Sequence, residues 1–583
     1  MQTLQYKQIY LQPPPKLSAG DVVALDLELA GLKEGQLHRP HGRFVSLAGC
    51  FDGETVYLIE DEEQIQEFLE NIQEATWVFH NSVFDLGHLR RWATVEERKN
   101  MRDTLLIERI MFSGLYSDFG LNDLVRRYLK CYMPKAVRKE FHDLEGRMTR
   151  EQMEYAALDV IGTYLVDVEQ QKLIDPQDIK IWNGLYLPDV WTALDLGGFY
   201  LNKQCWTALT AHYQVTVDRI SEELGQKYGK NVTTMKGRGK ERKEVVEFVP
   251  YNPSSVQQTL AILQSMGLDV DGTDEKTLTH YADNPFVCDL LEYRKAKKQV
   301  STYGLDFLEN VEDDSRIYTS MNIGLAVTGR NSSSSPNLQN VPSNADRRKC
   351  FSAGDGKVLC LYDYSGQEAN LWAYFSGDDK IAEIINSGKK LYIEMARESF
   401  HEEITKEHPR YKKIKSAILG MFYGLTPYGY SKNEDVPLEE AQEIFDAIYE
   451  AFPKTKAYID KMQSRNPGQV KSVLGRRMWV HPYDRNWKND VLNYPMQSSG
   501  SDMIKLAMKK LRNNEFYKVN HPLSKLDIIL QVHDEIVTEV DLDIAEEWVK
   551  IMKSTMIKVA EAMHPGIKGN VSGGLIQDWS QKD

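Results

Sequence analysis

The run Leu526 to Val540, LDIILQVHDEIVTEV, constrains this chain more than any other segment. Apolar and β-branched residues flank a central His533-Asp534 pair, the pattern of two strands joined by a tight turn. Aspartate in a hairpin turn is commonplace on local hydrogen bonding alone. Asp534 and the adjacent Glu535 gain weight from their companions. Residues 357–365, KVLCLYDYS, read as a buried strand that also ends on an acid, Asp363, followed by Tyr364-Ser365-Gly366-Gln367-Glu368.

A third element joins them. Residues 410–424, RYKKIKSAILGMFYG, are expected to form a helix entered through Pro409, a residue favoured in a first turn. Tyr411, Lys415, Leu419 and Tyr423 are spaced by four and share one broad face. That face carries a cation suited to phosphate, an apolar platform, and an aromatic ring beside Gly424, where the helix ends. Polar side chains of Thr328-Gly329-Arg330, of residues 336–340 (PNLQN) and of residues 493–497 (NYPMQ) flank these elements.

The first ~185 residues have a different character. Val22 to Leu29 is strand-like, a second apolar strand lies near Thr76 to His80, and helical patterns follow, a mixture that implies an α/β domain. Asp26 and Glu28 lie two apart on the strand, so both point to one face. Asn81 to Asp85 adds a carboxylate, and Tyr155 stands one helical turn before Asp159. Four acids and a tyrosine are what a two-metal phosphodiester hydrolase requires: oxygen ligands for two divalent cations and a phenol that orients the attacking water.

The net charge, 71 − 85 = −14, argues on its own against a polyanionic partner. Charge is local, however. Residues 227–244 hold seven Lys/Arg against two Glu, and further basic runs lie at Arg294 to Lys298 and Arg410 to Lys415. Such patches in an acidic protein suit a polyanion held in one groove. There is no uninterrupted apolar run of about 20 residues and no signal-like start. Six cysteines lack any CxxC spacing, which indicates neither a zinc cluster nor a disulfide framework. The expectation is a reduced, cytoplasmic protein without membrane association.

At about three to five folding units for 583 residues, the chain reads as one α/β domain, then a sheet interrupted by two helical insertions. Residues 200 to 325 are expected to be mostly helical, with a break at Tyr251 to Ser255. Helices are expected to dominate again from 379 to about 465.

The acidic segments of the first domain resemble the three motifs of DEDD proofreading exonucleases, in the version with tyrosine in the third motif. That resemblance implies Asp26, Glu28, Asp85 and Asp159 as metal ligands and Tyr155 as the water-positioning residue. The remainder resembles family A DNA polymerases. Motif A starts at Asp363, motif B runs from Lys415 to Gly424, and motif C is His533-Asp534-Glu535, in family order. Leu291 to Arg294, Ser301 to Tyr303 and Asp578-Trp579 extend the match. The implied fold is a ribonuclease H-like α/β exonuclease domain over 1–185, then a right-hand polymerase domain over 186–583. Its palm is α+β, its thumb helical over about 205–325, and its fingers helical over about 376–488.

The resemblance also implies roles. Asp363 and Asp534 would hold two Mg²⁺, replaceable by Mn²⁺, with the Tyr364 carbonyl as a further ligand and Glu535 as a catalytic companion. Lys415 would meet the triphosphate and protonate the leaving group. Glu368 would be the steric gate against ribonucleotides, with Gln367, Tyr392, Arg410, Tyr411, Leu419 and Gly424 also on the nucleotide side. Tyr423 would take the template stacking position. Arg330, Asn493, Gln497 and His533 would lie along the minor groove, where every base pair offers acceptors. The implied partners are primer-template DNA and deoxynucleoside triphosphates, bound by a monomer, with an accessory processivity factor left open.

Four positions depart from the family. Tyr411 and Asn489 stand where arginine is usual, Tyr392 where histidine is usual, and Leu419 where phenylalanine or tyrosine is usual. The first three imply weaker nucleotide binding, or compensation from Arg397, Arg410 or Lys412. Leu419 implies strong discrimination against dideoxynucleotides. No 5′-nuclease domain is expected ahead of the exonuclease and no long thumb insertion between Tyr303 and Arg330, an architecture that suits a phage replicative enzyme working in the host cytoplasm. The rival reading is an exonuclease whose polymerase half only binds DNA. Against it stand the retained Asp363, Asp534, Glu535, Lys415 and Glu368. A polymerase specialised for lesions, modified nucleotides or RNA templates is the third.

Overall fold

Alternation along Val22–Ala30 (β2) explains the first sheet: Val23, Leu25 and Leu27 are buried while Asp26 and Glu28 stay half-buried. The structure, a computed structural model, describes residues 2–32, 42–134, 138–236, 243–342, 345–464 and 468–582. Around β2 gather Gln8–Tyr10 (β1), Arg43–Cys50 (β3), Thr55–Ile59 (β4), Thr76–Phe79 (β5) and Met101–Asp103 (β6), in the order β1-β4-β3-β2-β5-β6. β2 runs antiparallel to β3 and parallel to β5, and its pairing with β3 slips between Glu28 and Leu29. A bulge of this kind re-aims side chains beside a site.

Helices cover both faces of this sheet. Ser82–Leu89 (α1) and Thr104–Phe112 (α2) pack on one side through Val83, Leu86, Leu106 and Ile107. Arg150–Leu173 (α3) packs on the other through Ala156, Ala157, Val160 and Ile161. Thr149 and Gln152 form a reciprocal capping box that starts α3, which sets the turn on which Tyr155 and Asp159 ride.

The next segment is mostly helical, as expected, but also carries a hairpin. Lys203–Tyr228 (α4) and Pro285–Ser301 (α5) are helices and pack together through Val217, Ile220, Leu224, Val287 and Leu290. Between them, however, Lys230–Lys236 (β7) and Lys243–Val249 (β8) form an antiparallel hairpin. Val232, Thr233, Thr234, Val245 and Val246 carry the β-branched content that drives this pairing. The charge of the basic run had obscured that signal, and its residues 237–242 lie outside the described residues.

The third section builds the second large sheet. In chain order come Lys357–Tyr364 (β9), Gln367–Ser376 (α6), Leu391–Phe400 (α7), Tyr411–Phe422 (α8), Gln469–Lys471 (β10), Arg477–Trp479 (β11), Trp487–Arg512 (α9), Leu526–Val532 (β12), Glu535–Asp541 (β13), Ala545–Met563 (α10) and Val571–Ile576 (β14). The sheet order is β12-β13-β9-β14, all antiparallel. Along β9 the pleat sends Cys360, Tyr362 and Tyr364 into the core under α10, and Leu359, Leu361 and Asp363 to the other face. α8 starts at Tyr411, with Arg410 as its cap and Pro409 in the preceding turn, one step later than expected.

The first domain and this section are docked by β11. Trp479 donates its backbone N–H to Ser113 at 2.8 Å and its indole N–H to Met111 at 3.0 Å. Arg477 pairs with Asp175 at 2.8 Å and with Asp178. Gly114, at φ +84°, lies against the Trp479 carbonyl where a Cβ would come to 2.1 Å, so no other residue fits this approach. Among the described residues no helix is long and apolar enough to cross a membrane.

Two candidate active sites

The first site lies where β2, α1 and α3 meet. The pleat of β2 places Asp26 and Glu28 on one face, and α3 brings Asp159 to them: one carboxylate oxygen of each lies within 4.8 Å of the others. Asp85, on α1, stands outside that trio. It is buried, and its Oδ1 accepts the backbone N–H of Leu27, at 3.0 Å, between the two strand acids. Burial raises its pKa well above the ordinary carboxylate value, and the neighbouring Asp26 charge adds to the effect. Tyr155 sits one turn before Asp159, its ring 5.7 Å from that of Phe141. Three half-buried carboxylates converging on one point form an oxygen donor set that fits a hard divalent cation.

The second site lies at the end of the β9–β13 ladder. Asp363 pairs in register with Glu535, and the Tyr364 N–H donates to the Asp534 carbonyl at 3.2 Å. Asp534 rides on the expected turn, where His533 takes a left-handed φ of +52° and its carbonyl accepts the Gln531 side-chain amide at 2.7 Å. Burial, reinforced by the Asp363 carboxylate, pushes the Asp534 pKa up to about 6. Burial also lowers the His533 pKa, with the positive charge of Arg330 acting in the same sense. A buried carboxylate held beside a second one is poised for a cation.

The end of α8 is linked to this site through Tyr423, Glu368 and Arg330, whose charge acts on Asp534. Ile414, Ala417, Ile418 and Met421 are buried on its core side, which leaves Tyr411, Lys415 and Leu419 half-buried on the opposite face. The Lys415 ammonium lies 5.6 Å from the centre of the Tyr392 ring. Burial pushes the Tyr392 pKa up to about 12, with Glu368 and Tyr411 adding to it, so the phenol remains neutral. Tyr423 donates its hydroxyl to Glu368, and Arg330 approaches the other carboxylate oxygen at 3.5 Å. Gly424 ends the helix at φ +78°, where a Cβ would come to 2.7 Å from the Asn489 side chain. Asn493, on α9, donates to the Tyr423 carbonyl at 3.4 Å, and Gln497 lies one turn further along the same helix.

Two expected nucleotide contacts are committed elsewhere. Gln367 is buried at the start of α6, with its amide against the Gly500 carbonyl at 3.5 Å and the Met503 sulfur, because the first turn of α6 packs on α9. Arg410 turns away to stack on Phe400 at 4.5 Å and to approach Glu402 at 3.6 Å. Arg397, a candidate for compensation, donates to Glu394, Glu403 and the Ile404 carbonyl. Lys412 remains exposed.

Sequence reasoning missed three residues that shape the second site. Arg476, 1% exposed, donates to Asp502 at 2.8 Å and to the Thr328 carbonyl, and lies under Gly329. Trp579 donates its indole N–H to Glu535 at 2.9 Å, and Lys582 reaches both Asp363 and Glu535. The Asp578-Trp579 match was a signal for the second of these; nothing local marks the other two.

Comparison with known proteins agrees with this geometry. Residues 219–581 match the family model for DNA polymerase family A, and residues 15–173 match that for a 3′-5′ exonuclease. The chain is 30% identical over 358 residues to the thermostable DNA polymerase I of Thermus aquaticus, covering 57% of this chain and 42% of that protein. It is 27% identical over 555 residues to DNA polymerase I of Mycobacterium tuberculosis (strain ATCC 25618 / H37Rv), covering 88% of this chain and 58% of the relative. The chain thus spans about half the length of these relatives. Among solved structures, the POL domain of Pol1 from M. smegmatis, in complex with DNA primer-template and dNTP, superposes with a TM-score of 0.80 at 22% identity. That match covers 99% of this chain and 100% of the other. The architecture is accordingly an exonuclease domain followed by a polymerase domain of the right-hand fold.

Proposed function

The chain belongs to DNA polymerase family A, and from that premise we propose that it extends a primer 3′ end on a template and proofreads with a separate 3′–5′ exonuclease centre. The observation that carries this reading is the coexistence of two carboxylate centres, Asp26/Glu28/Asp159 and Asp363/Asp534, the second linked to the end of α8 through Arg330, Glu368 and Tyr423. The functional units are 1–185 for the exonuclease and 186–583 for the polymerase.

Asp363, Asp534 and the Tyr364 carbonyl would hold the divalent ions of the polymerase centre, and Asp26, Glu28, Asp85 and Asp159 those of the exonuclease. Mg²⁺, with Mn²⁺ able to replace it, suits these oxygen donors, two ions to a centre. When bound, such ions activate the attacking oxygen and neutralise charge on the phosphoryl group. The protein's own groups supply the rest. Lys415 places a cation at the triphosphate and a proton near the leaving oxygen. Glu368, held by Tyr423 and Arg330, closes the space beside the sugar 2′-carbon. Arg330, Asn493, Gln497 and His533 test the geometry of the terminal pair. In the other centre Tyr155 orients the attacking water. The substrates are primer-template DNA and deoxynucleoside triphosphates.

One assay tests the whole reading: a 5′-labelled primer on a longer template, with Mg²⁺, with and without the four deoxynucleotides. Extension with nucleotides and shortening without them are expected. Asp363→Ala should abolish extension alone, and Asp26→Ala shortening alone. Shortening in both lanes, unchanged at millimolar nucleotide and in Asp363→Ala, would mean that the second half only holds DNA.

A further inference from the structure

Asp578 caps a short turn, Trp579–Gln581, that places Trp579 and Lys582 against the polymerase centre. Trp579 is fully buried, with Phe199 and Phe351 within 5.6 Å of it and the Arg348 guanidinium 4.2 Å from its ring centre. The turn is therefore anchored by aromatic packing. From this anchor two donors reach Glu535: the Trp579 indole N–H to Oε1 at 2.9 Å and the Lys582 ammonium to Oε2. The same ammonium donates to Asp363 Oδ2 at 2.6 Å. Both oxygens of Glu535 are engaged and its side chain is 2% exposed, whereas the Asp363 side chain is 20% exposed.

We propose that Lys582 is a positioning residue of the polymerase centre: a tethered cation that draws Asp363 and Glu535 together and competes with the divalent ion for the Asp363 carboxylate. This role rests on Asp363 being the metal ligand proposed above. Glu535 and Asp363 lie on neighbouring strands and repel one another, and a protein cation between them offsets that repulsion. A divalent ion that engages Asp363 either takes Oδ2 from the ammonium or binds Oδ1 against its positive charge. Glu535, held on its second oxygen by Trp579, retains the lysine nearby. Glu535 is thus the anchor of the tethered cation rather than a ligand of the ion.

The test uses the full chain carrying Asp26→Asn and Asp159→Asn, which silences the other carboxylate centre. Free Mn²⁺ is followed by electron paramagnetic resonance during titration without DNA. Lys582→Met should bind Mn²⁺ about five- to tenfold more tightly than its parent, since a positive charge next to the ion is removed. Lys582→Arg, which keeps the charge, should stay within about twofold of the parent. Equal or weaker affinity in Lys582→Met would overturn the proposal. If the Met variant fails to fold, Lys582→Gln gives the same comparison, with the same expected tightening and the same overturning result. Asp363→Ala in this background separates the two readings. If it leaves Mn²⁺ binding unchanged, the assignment of the metal centre fails, and not only the role of Lys582.

Discussion

Tyr423 and Glu368, 55 residues apart in the chain, meet in a hydrogen bond in which the phenol donates to one oxygen of the carboxylate. Arg330 stands 3.5 Å from the other oxygen. Burial and the Glu368 charge raise the Tyr423 pKa, so its hydroxyl remains a donor at neutral pH. Glu368 is therefore held from two sides at the end of α8. Glu368→Ala should raise the ratio of ribonucleotide to deoxynucleotide kcat/KM by about tenfold or more, equivalent to about 1.4 kcal/mol. Tyr423→Phe, which only loosens the gate, should give a smaller rise in single-nucleotide insertion assays.

Leu419 lies on the same half-buried face as Lys415, with no hydroxyl to offer. Leu419→Tyr should increase the incorporation of dideoxynucleotides relative to deoxynucleotides by about tenfold, on the scale of one added hydrogen bond. Termination ladders measure it directly. No rise would mean that this face of α8 does not meet the sugar.

Arg397 already donates to two carboxylates and a carbonyl, and Arg410 is stacked on Phe400. Of the three residues that would compensate for Tyr392, Tyr411 and Asn489, only Lys412 is exposed and uncommitted to these contacts, the alternative being weaker nucleotide binding. Lys412→Ala should raise the nucleotide KM by about threefold, on the scale of one exposed charge contact. Arg397→Ala should leave it nearly unchanged. Steady-state kinetics of the two variants decides between them.

The Arg476–Asp502 pair is buried, at 1% and 0% side-chain exposure and 2.8 Å. Removing one partner strands the other charge in the core. Arg476→Met should cost about 3–5 kcal/mol in urea unfolding, and Arg476→Met/Asp502→Leu should recover much of that loss. Because Arg476 also holds the Thr328 carbonyl, the single variant should bind primer-template less tightly as well.

His521 makes a 2.9 Å hydrogen bond with Asp527, which raises its pKa above the ordinary histidine value of 6.5. The folded state thus holds the proton more tightly than the unfolded one. The stabilisation is fully present below about pH 6.5 and is lost as pH rises through the raised folded value. Asp527→Asn should lower the melting temperature at pH 6 and have little effect at pH 9. An equal loss at both pH values would show that the pair acts without the imidazolium charge.

Much of both centres is local in origin. A two-residue spacing on β2 dictates that Asp26 and Glu28 share a face, and a four-residue spacing on α3 stacks Tyr155 one turn before Asp159. The His533-Asp534 turn follows from β-branched runs on both sides. The hairpin β7–β8 was equally local, but the lysines among its valines and threonines hid the strand signal behind charge.

Other features depend on which elements meet. Gln367 turns toward Gly500 and Arg410 toward Phe400, although their neighbours in sequence would suit a nucleotide. Lys582 reaches Asp363 across 219 residues. Backbone periodicity acts over a few residues, so the two sets of carboxylates and the direction in which each leaves its own strand or helix could be read from spacing alone. Which of these side chains face one another, and which are spent on packing, depends instead on how segments hundreds of residues apart bury their apolar faces together.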